Sequence, residues 1–258
     1  MTRNICLAFV AALIQATLMN SVVAQPAPGA PSSAGILRTV LASAALPGLV
    51  DAPRYYKLAR VSLVAKQTTS YNGAIGFVFV LNGSLDVTSG AAHQHLDKED
   101  GMLVAAGTST TFKAGGTEPA VFLHFVLATA GELDKPMEGS PAVVTELFAT
   151  KLPIPGLKSG PYEFTLVRVS FPPRLPANPL HRRSGAALYF VHSGSGMFTT
   201  GGKSEMRPTG AIQYEPYDLV HQWGNPGEAR LVIIQANISQ EGVPAVIMLK
   251  AEAAGAAN

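Results

Sequence analysis

Two histidines are the side chains in this sequence best suited to chemistry. His181 lies in the segment PLHRRSGAALYFVHSGSG, and His221 lies forty residues later in DLVHQWGNP. A neutral imidazole can bind a divalent metal ion, and it can exchange protons near neutral pH. Arg183 follows the first histidine, and its guanidinium group suits a carboxylate, a sulfate or a sugar acid unless it is simply solvated. These residue types leave open both a metal site and a metal-free ligand site.

Three further residues are predicted to line a metal-free pocket. Tyr189 should point inward by alternation along its strand, and Trp223 follows the second histidine closely enough to form an aromatic wall or rim. Gln213 adds a polar side chain, and together with His192 it is also a candidate for completing a non-standard metal site. The alternative for Tyr189 is a place in the core.

The elements that must position these residues are short β-strands. From about Tyr55 onward, runs rich in Val, Phe, Leu and Ile alternate with Gly, Pro, Asn and Asp, as in GFVFVLNGSLDVT, AVFLHFVLA and RLVIIQANI. Such runs are typical of an all-β domain, and closed or double-sheet architectures leave few strand edges exposed. Residues 36–50, ILRTVLASAALPGLV, are predicted to form one short helix before Pro53.

The strand segments occur twice in the same order, which predicts two copies of one β-module. LARVSL matches LVRVSF at an offset of 108 residues, FVFVLNGSL matches YFVHSGSGM at 111, and GMLVAAG matches GAIQYEP at 109. Gly83 falls opposite Gly194 in the second of these pairs. Near-equal offsets in the same order indicate an internal repeat. The two copies would join near residues 151–161.

The C-terminal copy resembles the cupin superfamily, whose small jelly-roll barrels carry two short motifs. The second motif, G-x5-P-x-G-x2-H-x3-N, is matched by Gly210, Pro216, His221 and Asn225, with Asp218 in place of its inner glycine. Taken with the duplication, the match resembles a bicupin over both copies. The resemblance implies an all-β fold of two tandem cupin-type jelly-roll barrels, preceded by a signal peptide and a short linker.

The first cupin motif, G-x5-H-x-H-x(3,4)-E-x6-G, is only partly kept. His181 matches its first histidine and Gly194 its closing glycine, whereas Arg183 and Ala187 stand where a second histidine and a glutamate would. In the family, three histidines and one carboxylate hold iron, manganese, nickel or zinc, so the resemblance leaves only His181 and His221 as metal ligands. Two neutral ligands beside an arginine hold a divalent cation weakly. We therefore expect no tightly bound metal.

The N-terminal copy is expected to be degenerate and to serve as a structural or interface domain. The offsets place Ser70 and Asn72 at the two histidine positions and Gly76 at the glutamate position. They also place Phe112 at the histidine of the second motif, where an aromatic ring would plug the barrel. The residues of this copy therefore offer no metal ligand in the family positions.

The segment HQHLDKED imitates a first motif elsewhere in the chain. His93, His95 and Glu99 have the H-x-H-x3-E spacing. The duplication places the two histidines on a hairpin away from the barrel mouth, opposite residues 202–206 of the second copy. Alternation puts both histidines on one face, which leaves adventitious metal binding at the surface as an alternative.

The first residues have the features of a secretory signal peptide. Arg3 precedes the apolar run ICLAFVAALIQATLM, and Val22 and Ala24 occupy the small-residue positions of a cleavage site. The run is shorter than the roughly 20 residues that span a bilayer, so no membrane span is expected after cleavage. Cleavage would remove Cys6, the one cysteine, and with it any disulfide or thiolate ligand. We expect a secreted or periplasmic protein.

The predicted organisation has four parts. Residues 1–24 are the signal peptide, 25–54 a linker and short N-terminal segment, 55–150 the degenerate N-terminal barrel and 151–258 the C-terminal barrel. The net charge is +2 and only 14% of residues are charged, with no basic cluster. Nucleic acid and strongly anionic membranes are therefore excluded as expected partners.

The expected function is binding of a small, acidic organic ligand in the C-terminal barrel without a tightly bound metal. The protein would be a binding module, or an enzyme in which His181 and His221 act as acid and base. One alternative is a metal-dependent cupin enzyme, such as a dioxygenase, an isomerase or a ureidoglycine aminohydrolase-like hydrolase. Another is a non-catalytic interaction protein that forms a homodimer. The fold alone does not choose among these.

Overall fold

Strands account for nearly all regular structure in the computed structural model of this chain, which describes residues 35–49 and 53–249. These residues form nineteen strands and one turn of 3₁₀ helix, Ala130–Glu132, and they contain no α-helix. Across the described ranges, no helix has the length and apolarity to cross a membrane. The predicted signal peptide, and the linker up to residue 34, lie outside the described residues.

The N-terminal half of the described chain contributes ten strands. One sheet has the strand order β10-β2-β9-β4-β7 and a second has the order β3-β8-β5-β6, with β1 elsewhere. The strands are β1 Leu37–Leu49, β2 Arg54–Leu63, β3 Thr68–Tyr71, β4 Gly76–Asn82, β5 Leu85–Ser89, β6 Ala92–Leu96, β7 Gly101–Val104, β8 Thr110–Ala114, β9 Ala120–Thr129 and β10 Val143–Ala149.

The C-terminal half contributes nine strands. They form one sheet of order β1-β11-β18-β13-β16 and a second of order β15-β14-β17-β12-β19. The strands are β11 Gly160–Phe171, β12 His181–Arg183, β13 Ala186–Ser193, β14 Ser195–Thr200, β15 Lys203–Pro208, β16 Ile212–Glu215, β17 Val220–Gly224, β18 Leu231–Gln240 and β19 Val246–Met248.

The two halves repeat the same barrel, which confirms the predicted duplication. The order β2-β9-β4-β7 of one half corresponds to β11-β18-β13-β16 of the other. Gly83 and Gly194 sit at equivalent turns with φ of 67° and 79°, a region that glycine enters without steric cost. A Cβ atom at these positions would lie 2.5 Å from the Pro119 carbonyl oxygen and 2.6 Å from that of Arg230, which again are 111 residues apart.

Each barrel takes as its outer strand the one that precedes the other barrel in the chain. β1 pairs antiparallel with β11 of the C-terminal barrel, and β10 pairs antiparallel with β2 of the N-terminal barrel. The predicted helix over residues 36–50 is therefore wrong. β1 supplies hydrogen-bond partners to an edge of β11 that would otherwise be open, and this long-range pairing outweighs the weak helical preference of an Ala- and Leu-rich segment.

Alternation along the central strands separates three apolar cores. On β9, Phe122 and Val126 face the interior of the N-terminal barrel, whereas Leu123 and Phe125 face the other barrel. β18 divides its side chains in the same way between the shared core and the interior of the C-terminal barrel. The Tyr56 hydroxyl lies 3.2 Å from the backbone carbonyl oxygens of two C-terminal strands, and so it ties the barrels together across the shared core.

Candidate functional site

The two predicted site histidines meet inside the C-terminal barrel. β12 and β17 are antiparallel neighbours, and their register places His181 directly opposite His221. The ring centroids are 4.3 Å apart at an interplanar angle of 60°. Both side chains are buried, and Phe198 and Trp223 pack beside them in the interior core. The two histidines lie forty residues apart in the sequence, and they meet because β12 and β17 are neighbouring strands.

Backbone carbonyl groups fix the orientation of both imidazoles. Nδ1 of His181 lies 2.9 Å from the Pro179 carbonyl oxygen, and Nδ1 of His221 lies 2.9 Å from that of Leu219. A carbonyl oxygen only accepts, so each Nδ1 carries a proton. Burial, followed by the neighbouring His221, lowers the pKa of His181 to about 4. His181 is therefore neutral at physiological pH.

Glu215 is a central residue of this site that the sequence analysis missed. It ends β16, is fully buried, and accepts hydrogen bonds from Arg183 Nε at 2.7 Å and from Trp223 Nε1 at 2.8 Å. Burial by itself raises the pKa of Glu215, but the Arg183 charge, with His221 and Trp223, brings it below its usual value. The available signal was a lone glutamate in a short apolar strand, directly before the motif proline.

Arg183 is neither solvated nor free to bind a ligand acid. Besides its ion pair with Glu215, it donates from Nη1 to Asn237 Oδ1 at 3.3 Å. Its guanidinium carbon lies 5.3 Å from the centroid of the Tyr189 ring, a cation–π contact. The charge predicted to recognise an external carboxylate is thus matched by an internal one, because β12 and β16 bring the two groups together.

The remaining predicted pocket residues take different places. Tyr189 points inward, as alternation predicts, and its ring lies 5.7 Å from that of Trp223. Trp223 is buried in the interior core, so it forms a wall rather than a rim. Gln213 is half-buried and donates to the neighbouring Tyr214 carbonyl oxygen. His192 faces the other barrel, where it contacts Glu99 and Phe79, so its suggested part in a metal site is wrong.

One motif residue departs from the cupin pattern at small structural cost. Asp218 occupies the position of the inner glycine and adopts a φ of 64°, the left-handed region that glycine favours and aspartate tolerates. Asn225 is buried and donates from Nδ2 to the Pro172 and Ala229 carbonyl oxygens, so it holds a loop. Both residues preserve the backbone path around His221.

His221 and Glu215 form an unusually close contact. His221 Nε2 lies 3.0 Å from Glu215 Oε1, within ion-pair distance. The atom has no other hydrogen-bond partner among the described residues, although the side chain is 0% exposed. A buried polar atom without a partner costs free energy, so this nitrogen is the point of the site that can accept a donor group.

These residues do not fit a tightly held metal ion. Within the described ranges, no group of three or more His, Cys, Asp or Glu side chains is arranged to hold one. The Glu215 carboxylate already accepts from Arg183 and Trp223 on its two oxygens, and the guanidinium charge would repel a divalent cation. The donor set that remains is two neutral imidazoles.

The motif-like HQHLDKED segment does not form a site. His93 and His95 lie on β6 and are exposed, and His95 pairs with Asp86 at 2.7 Å. Glu99 instead faces His192 and Arg168 of the other barrel. The three side chains with first-motif spacing therefore point to different parts of the molecule, because a turn at residues 97–100 follows the strand.

Two jelly-roll barrels in one chain, with paired motif histidines inside the second, define the bicupin fold. No family model matches the chain, and no curated protein matches it. Solved structures similar to it include AerE from Microcystis aeruginosa, at 18% identity and a TM-score of 0.52, covering 70% of this chain and 87% of that one.

Two enzymes are also similar in structure. Oxalate decarboxylase from Bacillus subtilis, in a structure concerned with its Mn(II) centres, gives 12% identity and a TM-score of 0.53, covering 80% of this chain and 79% of that one. Salicylate 1,2-dioxygenase from Pseudaminobacter salicylatoxidans gives 9% and 0.50, covering 71% of each chain. At these identities the similarity establishes the fold alone.

Proposed function

We propose that the C-terminal barrel binds a small polar organic molecule at the imidazole pair of His181 and His221, without a tightly bound metal. The observation that carries the proposal is the buried Nε2 of His221, which accepts no hydrogen bond from any described residue. A ligand N–H or O–H group would supply the missing donor. The neutral ring of His181 offers a second acceptor beside it.

The charges of the site favour a hydroxyl- or amide-bearing ligand over a carboxylate. Arg183 and Glu215 neutralise each other, and neither imidazole needs a charged partner. A buried anion would have to compete with Glu215 for the same guanidinium group, whereas a neutral donor would leave the ion pair intact. The acidic ligand expected from Arg183 alone is therefore the less favoured chemistry.

Binding is also better supported than acid–base catalysis. A general base works best when its pKa lies near the operating pH. Burial lowers the pKa of His181 to about 4, so near neutrality it is a weak base. We therefore propose a ligand-binding module, exported to the periplasm or the medium as the N-terminal sequence predicts.

Two measurements test this function. We expect protein purified without chelator or affinity tag to contain far less than one equivalent of iron, manganese, nickel or zinc. We also expect small alcohols, phenols, amides or sugars to raise its melting temperature, because a ligand that binds only the folded state stabilises it. The shift should be lost in His221→Ala and kept in the control His95→Ala, which alters an exposed ring.

Two outcomes would overturn the proposal in different ways. Near-stoichiometric metal that is lost in both His181→Ala and His221→Ala would favour a metal-dependent enzyme. Absence of metal together with no stabilising ligand would favour the interaction protein, and the oligomeric state in solution would then be the decisive measurement.

A further inference from the structure

A second buried imidazole lies inside the N-terminal barrel, where the sequence offers no cupin ligand. His124 is on β9 and shares the inward face with Phe122 and Val126. Its register partner on β4 is Val78, just as the partner of Gln235 on β13 is Tyr189. His124 is thus the structural counterpart of Gln235, 111 residues later, and it belongs to neither family motif.

A carboxylate supplied by a loop covers this histidine. Glu138 lies between β9 and β10, and its Oε1 is 2.5 Å from His124 Nδ1. Both side chains are 0% exposed. In the other barrel the internal carboxylate, Glu215, is held in a strand of the sheet. In this barrel it belongs to a segment outside any strand.

The pair leaves polar atoms unused. His124 Nε2 and Glu138 Oε2 are both buried and have no hydrogen-bond partner among the described residues. Their surroundings are aromatic, with the Tyr71 ring 4.6 Å and the Phe112 ring 6.0 Å from the imidazole. Two unsatisfied polar atoms in an apolar interior are costly, and in native proteins such groups commonly mark a functional site.

Glycine at residue 76 lets the backbone pack closely against the free nitrogen. Residue 76 is glycine, and a Cβ atom there would lie 3.0 Å from His124 Nε2 as well as 2.4 Å from the Phe125 carbonyl oxygen. The equivalent residue of the C-terminal barrel is Ala187, which packs in the interior core. The N-terminal barrel thus has no side chain at this position beside His124 Nε2, where the C-terminal barrel places a methyl group.

The covering loop is attached by polar contacts. The Lys57 ammonium group donates to the Leu133 and Lys135 carbonyl oxygens at 2.5 and 3.0 Å, and Thr69 Oγ1 donates to the Gly139 carbonyl oxygen at 2.6 Å. The loop runs between a cavity of about 70 Å³, which Tyr71 and Val126 line next to His124, and a groove of about 670 Å³, and residues 135–137 line both. A short outward movement of the loop would therefore join the two spaces.

We propose that the N-terminal barrel is a second binding site, specific for a small monocarboxylate anchored by His124. In the absence of this ligand, the Glu138 carboxylate takes its place beside His124. A free carboxylate can reproduce the contact that Glu138 makes with His124 Nδ1. Unlike a tethered side chain, it can also turn its second oxygen toward a donor. The aromatic rings of Tyr71 and Phe112 beside the imidazole limit the ligand to a few carbon atoms, as in formate, acetate or propionate.

Removing the internal carboxylate should reveal the site. Apparent affinity is reduced by the fraction of molecules in which the site is open. We therefore expect Glu138→Ala to bind acetate at least about tenfold more tightly than the wild-type chain, in calorimetric titrations at constant pH and ionic strength. The matched control is Glu146→Ala, a partly exposed glutamate of the same outer groove, which should show no gain.

Two further variants keep the test decisive. Glu138→Gln retains the side-chain volume and guards against misfolding of the alanine variant, and we expect it to show a smaller gain than Glu138→Ala. The double variant His124→Ala/Glu138→Ala should lose the gain entirely. Equal affinity in the Glu138 and Glu146 variants, or a gain that survives loss of His124, would overturn the proposal.

The wild-type chain provides a readout that a merely structural ion pair would not give. Acetate that replaces Glu138 must release the loop, so hydrogen exchange of residues 130–142 should accelerate when acetate is added. A structural pair predicts exchange that is unchanged or slower. The acetate concentration should be more than tenfold above the one that saturates Glu138→Ala. Hydrogen exchange that is slower or unchanged at that concentration would contradict displacement of Glu138 by acetate.

Discussion

The two barrels have the same strand order but hold their buried carboxylates differently. The C-terminal barrel holds its carboxylate, Glu215, in a strand, where Arg183 neutralises it and Trp223 donates a hydrogen bond to it. The N-terminal barrel takes Glu138 from a loop and matches it with one histidine. The first arrangement is fixed by the sheet, whereas the second depends on a loop. The same fold therefore holds its buried carboxylate in a strand in one half and in a loop in the other.

The largest expected effect is in the C-terminal barrel. Arg183→Leu would leave the buried Glu215 carboxylate without its cation, and breaking a buried pair costs about 3–5 kcal/mol of the free energy of unfolding. Urea denaturation followed by the fluorescence of Trp223, the one tryptophan, measures this directly. Arg182→Leu is the control, because that side chain is partly exposed and pairs with Asp218 at the surface. Similar losses in both variants would refute the importance of the buried pair.

A pH effect of comparable size should also be specific to the C-terminal barrel. The pKa of His181 falls from 6.5 to about 4 on folding, mainly through burial, so between these values the unfolded chain binds a proton that the folded chain excludes. The free energy of unfolding should therefore be fully retained above pH 6.5 and decrease by about 3 kcal/mol as the pH falls to 4.

The variant His181→Gln should flatten this part of the pH profile, measured by urea denaturation at a series of pH values. Glu215 adds a further loss only at lower pH, because its folded pKa is below the ordinary value. His95 is the control with the opposite sign, since its hydrogen bond with Asp86 raises its pKa. An unchanged slope in His181→Gln would show that another group carries the effect.

A smaller loss is expected when the N-terminal pair is neutralised. Glu138→Gln should lower the free energy of unfolding by about 1–3 kcal/mol, the range for a buried polar group that loses a good partner. Glu215→Gln should cost more, because the sheet keeps Arg183 buried and unpaired, whereas a loop movement can bring water to His124. Chemical denaturation of the two variants under the same conditions compares the barrels, and an equal cost would remove the distinction between them.

The smallest losses of stability are expected at the two equivalent glycine turns, one in each barrel, and the two losses should be nearly equal. Gly83→Ala and Gly194→Ala each place a Cβ atom in a left-handed conformation and against a carbonyl oxygen, at 2.5 and 2.6 Å. We expect losses of about 1–2 kcal/mol in each case. Gly131→Ala, where no atom lies within 4 Å of an added Cβ, should be close to neutral. Thermal unfolding of the three variants tests whether the duplicated turns remain equivalent.

The sequence predicted the repeated strands because side-chain alternation and turn residues are local signals. The offsets aligned Gly83 with Gly194, and the motif spacing paired His181 with His221, as the structure has them. The sequence could not predict that Leu37–Leu49 forms a strand, because the partner of β1 lies more than a hundred residues away in β11. The local composition of that segment is compatible with either conformation.

The sequence likewise could not predict which groups contact the buried charged side chains. Arg183 was expected to face an external acid, but β16 brings Glu215 to its Nε atom. His124 falls only in a P-x4-H imitation of the second motif that begins at Pro119, Glu138 falls in no motif, and only the path of the loop over the barrel joins them. The electrostatic role of a charged group in a low-dielectric interior depends on the group beside it. Strand order and register decide which group that is.

The sequence by itself thus determined the two-barrel plan and the positions of the motif histidines, because both follow from periodicity and spacing along the chain. Tertiary structure alone decided which strand joins which barrel, that Arg183 is matched by Glu215, and that a loop carboxylate closes the N-terminal barrel over His124. Such outcomes depend on contacts between residues far apart in the chain. Their energies arise only when folding removes both groups from water.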